Sequence, residues 1–252
     1  MRSSPRITRR LALLAAAISA VPAWASEPSA LLNVSYDIAR ELYKQLNPAF
    51  VAAWKAKTGQ AVTINQSHGG STKQIGAVIG GLEADVVTMN QATDVDQLAS
   101  AGYTPADWRN RFPNGAAPYS STMLMLVRKG NPKGIKDWTD LGRAGVQVIM
   151  PNPKVTGNGR YGYLAIYGSV LAQGGTEAQA KDLITKVMTN VPVLDGGGRG
   201  ATTTFAQRNL GDALVTFESE APLIKKEFGD NFEVIYPSRT LLAENPVSVV
   251  DK

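Results

Sequence analysis

The sequence predicts an α/β protein built as two lobes with a ligand cleft between them. Three observations carry this prediction. Short apolar runs alternate with stretches of helical periodicity from residue 31 onward, the pattern of strands joined by crossover helices. Glycine-, serine- and threonine-rich turns stand at the ends of several of those runs, where an open α/β sheet binds its ligands. The 252 residues include no cysteine, so the fold rests on its core alone, and the length suffices for one large or two modest domains.

The first 25 residues stand apart from this pattern. Arg2, Arg6, Arg9 and Arg10 precede an apolar run from Leu11 to Ala20, and Ala23-Trp24-Ala25 follows it, the layout of a secretory signal peptide cleaved after Ala25. The run is too short to span a bilayer, and an uncleaved anchor is the alternative. Without those four arginines the chain carries 22 of its 26 basic residues against 21 acidic ones. The formal charge of +5 therefore implies no nucleic-acid surface, and no basic amphipathic segment points to a membrane surface.

The elements follow in order. "LLNVSYD" reads as a buried strand ending in turn chemistry. "RELYKQLNPAFVAAWKAKTG" reads as a helix with its apolar face at Leu42, Leu46, Phe50 and Trp54, kinked or split at Pro48 and stopped by Gly59. Strands at "AVTINQS" and "ADVVTMN" and helices at "STKQIGAVIGG" and "VDQLASAG" complete a βαβ succession, which implies a largely parallel sheet with right-handed crossovers. "STMLMLVRKGNP" then carries the chain into a second unit, with strands at "VQVIMPNPK", "ALVTFESE" and "FEVIYP" and helices at "YGYLAIYGSVLAQGG" and "EAQAKDLITKVMTNV". "NPVSVV" opens one more strand. The expected organisation is lobe 1 over residues 26–118, rejoined by 245–252, and lobe 2 over 119–244. Trp54, Trp108 and Trp138 are expected to pack inside the lobes. Because the chain stops directly after an apolar strand pattern, a further C-terminal portion is expected.

Four turns attract chemistry: "SYD", "SHGGST", "PKVTGNGRYG" and "LDGGGRGATTTF". Helix starts leave backbone N–H groups unpaired and carry partial positive charge, and glycine lets the backbone come close, so together they hold an anion without a lysine. Any one of them read alone is a simple N-cap. No glycine cluster fits the phosphate loop or the dinucleotide fingerprint. His68, the sole histidine, is open to three readings: catalytic base, metal ligand, or a brace for its loop. With neither cysteine nor a second histidine, no metal site and no cofactor is assigned. Asp37 and Asp195 are acids, bases or caps.

Taken together, "NVSYD", "QSHGGS", "EADVVT", "STMLMLVRKGNPK", "LDGGGRG" and "VSVVDK" closely resemble the periplasmic sulfate-binding proteins that feed ABC-type importers, in one collinear register from Leu31 to Lys252. The resemblance implies the type II periplasmic-binding fold, sulfate or thiosulfate as ligand, a membrane permease as partner, a monomer, and no catalysis. It also implies further helices beyond "VSVVDK". The family's anion-binding aspartate falls on Asp37 and its serine after "HGG" on Ser71. Its "SSGG" loop falls on "VTGN", so Thr156 replaces the donor serine while Gly157 and Asn158 replace the glycines, and its donor in "GARG" falls on Gly198. His68, Arg160 and Arg199 match residues that brace these loops from behind. Where the family often has a tryptophan N–H donor, this chain has Phe217, which has none. Asparagine at 158 fits a glycine position because it tolerates positive φ. A site of amides and hydroxyls implies little change in binding between about pH 5 and 8. The alternatives are a phosphate- or molybdate-type receptor of the same fold, or an exported hydrolase using His68 and Ser71.

Overall fold

A computed structural model describes residues 29–251. The expected signal segment, with its expected cleavage after Ala25, lies outside the described residues. Two sheets organise the rest. The first has the order β10-β3-β1-β2, from β1 (Ser29–Tyr36), β2 (Val62–Gly69), β3 (Val86–Thr88) and β10 (Val247–Val249). β1 runs parallel to β2 and β3, and β10 is antiparallel to β3. This register sets Tyr36 beside Gly69 and Ser35 between His68 and Thr88, so three strands end side by side on one edge.

The second sheet has the order β6-β5-β7-β4-β8, from β4 (Tyr119–Arg128), β5 (Val148–Pro151), β6 (Leu194–Asp195), β7 (Ala213–Phe217) and β8 (Phe232–Ile235). Pro151 pairs with Asp195 in the parallel β5–β6 ladder, which brings the next two turns together. β4 alternates its side chains between two cores: Met123, Met125 and Val127 on one face, Leu124 and Leu126 on the other. Both faces are therefore buried, and the run reads as continuously apolar. β9 (Leu242–Asn245) pairs with the start of β4 and hands the chain to β10. The expected strand at "NPVSVV" is β10, and β9, which the sequence reading did not list, ends at Asn245 because Pro246, lacking an N–H, cannot continue the ladder.

Helix α1 (Arg40–Thr58) departs from expectation twice. It runs unbroken through Pro48, which is exposed, so the Lys44 carbonyl deprived of its intrahelical donor faces water. Its expected apolar face is buried only at its Trp54 end: Leu42, Leu46 and Phe50 are 41%, 48% and 44% exposed. Burial instead follows Tyr43, Asn47, Val51 and Trp54, a stripe one residue round the helix. Gly59, in the left-handed region at φ 74°, ends the helix as expected. Trp108 and Trp138 are core residues, whereas Trp54 is only half-buried, stacked on Phe50 with centroids 6.1 Å apart.

Candidate functional site

The remaining helices begin where the strands end. α2 (Ser71–Ile79) starts two residues after β2, and α3 (Ala92–Ser100) follows β3. α4 (Gly157–Ala172) starts after β5, α5 (Glu177–Thr189) runs beside it, α6 (Gly198–Thr202) follows β6, and α7 (Glu220–Phe228) follows β7. At the joints a small cavity of about 10 Å³ is lined by Tyr36, Asp37, Ile38, Gly69, Gly70, Ser71 and Asn90 from the first sheet's edge, and by Thr156, Gly157, Asn158, Gly197 and Gly198 from the second's. No lysine, arginine or histidine is among those residues. What the lining offers is backbone at four helical starts, counting the short 3-10 turn Asp37–Ala39, together with hydroxyls and amides.

Local chemistry fixes each wall. Thr156 caps α4: its Oγ1 accepts from the Gly159 N–H at 3.0 Å and donates to the Asn152 carbonyl at 2.8 Å. Ser71 Oγ donates to Asn90 Oδ1 at 2.9 Å. Asp37 does not cap its own helical turn; its Oδ2 accepts from the Arg199 N–H at 2.8 Å, across the cleft. The two halves touch elsewhere as well. A Cβ on Gly157 would lie 1.9 Å from Asn90 Oδ1, and one on Gly197 would lie 2.5 Å from Asp37 Oδ2, so only glycine permits this approach.

Arg160 reaches over the cleft with its whole fork, to Gln91, to Thr72 Oγ1 at 2.7 Å and to Asp94 Oδ1 at 2.7 Å. Burial pushes the Asp94 carboxyl up to about 6 even though the Arg160 guanidinium opposes the shift. Glu220, 6% exposed, is pushed up to about 7 by burial, with Asp37, Glu41 and Glu227 adding to the rise and Arg199 opposing it. Arg199 also pairs with Glu227.

Of the residues singled out from sequence, Asp37, Ser71, Thr156, Gly157, Asn158 and Gly198 meet in the cavity wall. Phe217 is not among the lining residues; it is buried in the core, edge-on to Tyr161 with centroids 5.7 Å apart. His68, Arg160 and Arg199 lie outside the lining. The His68 ring stacks on Tyr43 at 6.5 Å, and burial lowers its pKa, with Arg40 adding to the fall. Since Ser71 Oγ is bonded to Asn90 rather than to an imidazole, no Ser-His pair is formed. Asn158 is not at positive φ, so its backbone does not require a glycine substitute. Sequence reasoning missed Asn90, whose only signal is its place at the end of the apolar run "ADVVTMN".

A model of the bacterial extracellular solute-binding protein family matches residues 31–251. The chain is 58% identical over 232 residues to the thiosulfate-binding protein of Pseudomonas aeruginosa, covering 91% of this chain and 69% of that one. It is 53% identical over 224 residues to the sulfate-binding protein of Escherichia coli, covering 88% and 68%. Among solved structures it is similar to the sulfate-binding protein SubI of Mycobacterium tuberculosis, with a TM-score of 0.81 at 31% identity over 89% of this chain and 76% of that one. A ferric binding protein from Campylobacter jejuni, at 18% identity and a TM-score of 0.58 over 87% and 75%, shares the fold alone. With its two α/β sheets meeting at a small cavity lined by helix starts, the chain belongs to the bacterial extracellular solute-binding proteins, alongside the thiosulfate- and sulfate-binding proteins.

Proposed function

We propose that the protein is the periplasmic binding component of an ABC-type importer and that it captures sulfate or thiosulfate as the dianion. The observation that carries this reading is the cavity wall itself, in which backbone of four helical starts, hydroxyls and amides converge and no cationic side chain takes part. A dianion leaving water must exchange its hydration shell for fixed donors, and an unsatisfied one costs many kcal/mol. N–H groups at helix starts supply those donors without a cation that needs desolvation of its own. Asp37, Ser71, Thr156, Gly157, Asn158 and Gly198 are the proposed ligand residues, while Phe217 supplies no contact. Arg160, Arg199 and His68 hold the loops from outside. Residues 26–118 with 245–252 form one lobe and 119–244 the other, and their closure presents the loaded monomer to a membrane permease. Export through a signal peptide cleaved after Ala25 accounts for the periplasmic setting.

Calorimetric titration with sulfate, thiosulfate, molybdate and phosphate tests the proposal. Binding of sulfate or thiosulfate well ahead of phosphate is expected, since phosphate near neutral pH keeps a proton, and the carboxylate in the wall, Asp37, is already engaged by the Arg199 N–H. Preference for phosphate or molybdate overturns it.

A further inference from the structure

We propose that the Asn158 side-chain amide is itself a ligand to the bound oxyanion, a donor added to the backbone N–H groups around it. This rests on the receptor reading above and deepens it. Asn158 is 4% exposed, and neither its Nδ2 nor its Oδ1 finds a hydrogen-bond partner in the protein. Buried amides almost always have such partners. Other described residues, among them Gln66, Asp195 and Thr202, also hold an unpartnered buried atom, but Asn158 alone of these lines the cavity.

The surroundings are shaped to admit that side chain. Its Nδ2 stands 2.6 Å from the position a Cβ on Gly198 would take, so glycine at 198 leaves room for the amide. The neighbouring Asn90, by contrast, is already engaged by Ser71. Nor does the backbone explain asparagine here, because residue 158 lies in regular helix and not at positive φ. What remains is a preorganised dipole kept unpaired in a cavity lined by helix starts and by no cationic side chain, and a dianion draws its N–H end inward. A hydrogen bond to a charged partner corresponds to a roughly 10- to 100-fold effect on affinity.

The experiment compares the parent protein with Asn158→Ala and Asn158→Asp, titrated calorimetrically with sodium sulfate and sodium thiosulfate at pH 8, with thermal unfolding of each without ligand. Asn158→Ala is expected to weaken the preferred anion at least about 10-fold while leaving the unliganded melting temperature equal or higher, because an unpaired buried amide has gone. Asn158→Asp, the isosteric charge, is expected to abolish measurable binding. Affinities within two-fold of the parent in the alanine variant overturn the inference. So does a large fall in the unliganded melting temperature, which marks the amide as structural. If the parent protein binds neither anion, the receptor reading fails and takes this inference with it; a parent that binds beside unaffected variants sinks the inference alone.

Discussion

Glu220 shows how a single side chain changes the pH behaviour expected of a site that binds through amides and hydroxyls. Its carboxyl is pushed from an ordinary 4.5 up to about 7, chiefly by burial. Between those values the folded protein holds a proton that the unfolded chain has released. Stability contributed by this proton is therefore lost as pH rises through about 7, to a full penalty on the order of 3 kcal/mol above it. Glu220→Gln is predicted to raise the melting temperature at pH 8 and to leave it nearly unchanged at pH 4, as read by thermal unfolding. The same group bears on binding. A dianion near Asp37 favours protonated neighbours, so affinity is predicted to fall as pH rises from 6 to 8, and Glu220→Gln to flatten the fall in a calorimetric pH series. A flat profile for the parent protein returns the case to the simpler expectation of pH-independent amides. The Ser71 hydroxyl is committed to Asn90, so Ser71→Ala is predicted to cost about 1 kcal/mol of stability by orphaning Asn90 Oδ1, with an affinity loss under about 10-fold.

At the scale of elements, α1 separates what sequence pattern reveals from what packing decides. A proline in an exposed helix interior costs roughly 3 kcal/mol relative to alanine, and Pro48 is exposed. Pro48→Ala is predicted to raise the melting temperature, measured without ligand and with excess sulfate; an unchanged value means that the helix bends there to useful effect. The helix itself, its stop at Gly59 and nearly every strand were legible, since local propensity and tertiary structure agree over those stretches. Its orientation was not. Leu42, Leu46 and Phe50 form a helical stripe as apolar as a core face, and only the register of α1 against β2 decides that Tyr43, Asn47 and Val51 turn inward. β6, two residues long, and β9, four residues at Leu242–Asn245, escaped for a different reason: ladders that short leave no period to read. The candidate site was legible wherever glycine, serine and threonine crowd a strand end. Asn90 was missed because a lone asparagine after a strand looks like any turn, and Phe217 was placed in the wall because chain position alone does not separate a cavity from the core behind it.

The molecule as a whole is held with its lobes pressed together by contacts that no isolated lobe makes. Arg160 spans to Thr72, Gln91 and Asp94, the Arg199 N–H reaches Asp37, and Gly157 lies against Asn90. Gly157→Ala isolates closure from folding. The new methyl would stand 1.9 Å from Asn90 Oδ1, a clash made only when the two halves meet, while within α4 alanine is the better helix former. The open form is then relieved of the clash and the closed form is not. Because a ligand that requires closure has its apparent affinity reduced by the fraction of molecules able to close, a closure penalty of about 3 kcal/mol weakens binding by more than 100-fold. Gly157→Ala is predicted to unfold at a temperature equal to or above that of the parent without ligand, to lose most of the rise that excess sulfate or thiosulfate produces, and to show no ligand-induced fall in radius of gyration by small-angle scattering. An alanine variant that still contracts on adding anion, with parent-like affinity, means that Asn90 yields and that the close approach at Gly157 does not gate the cleft.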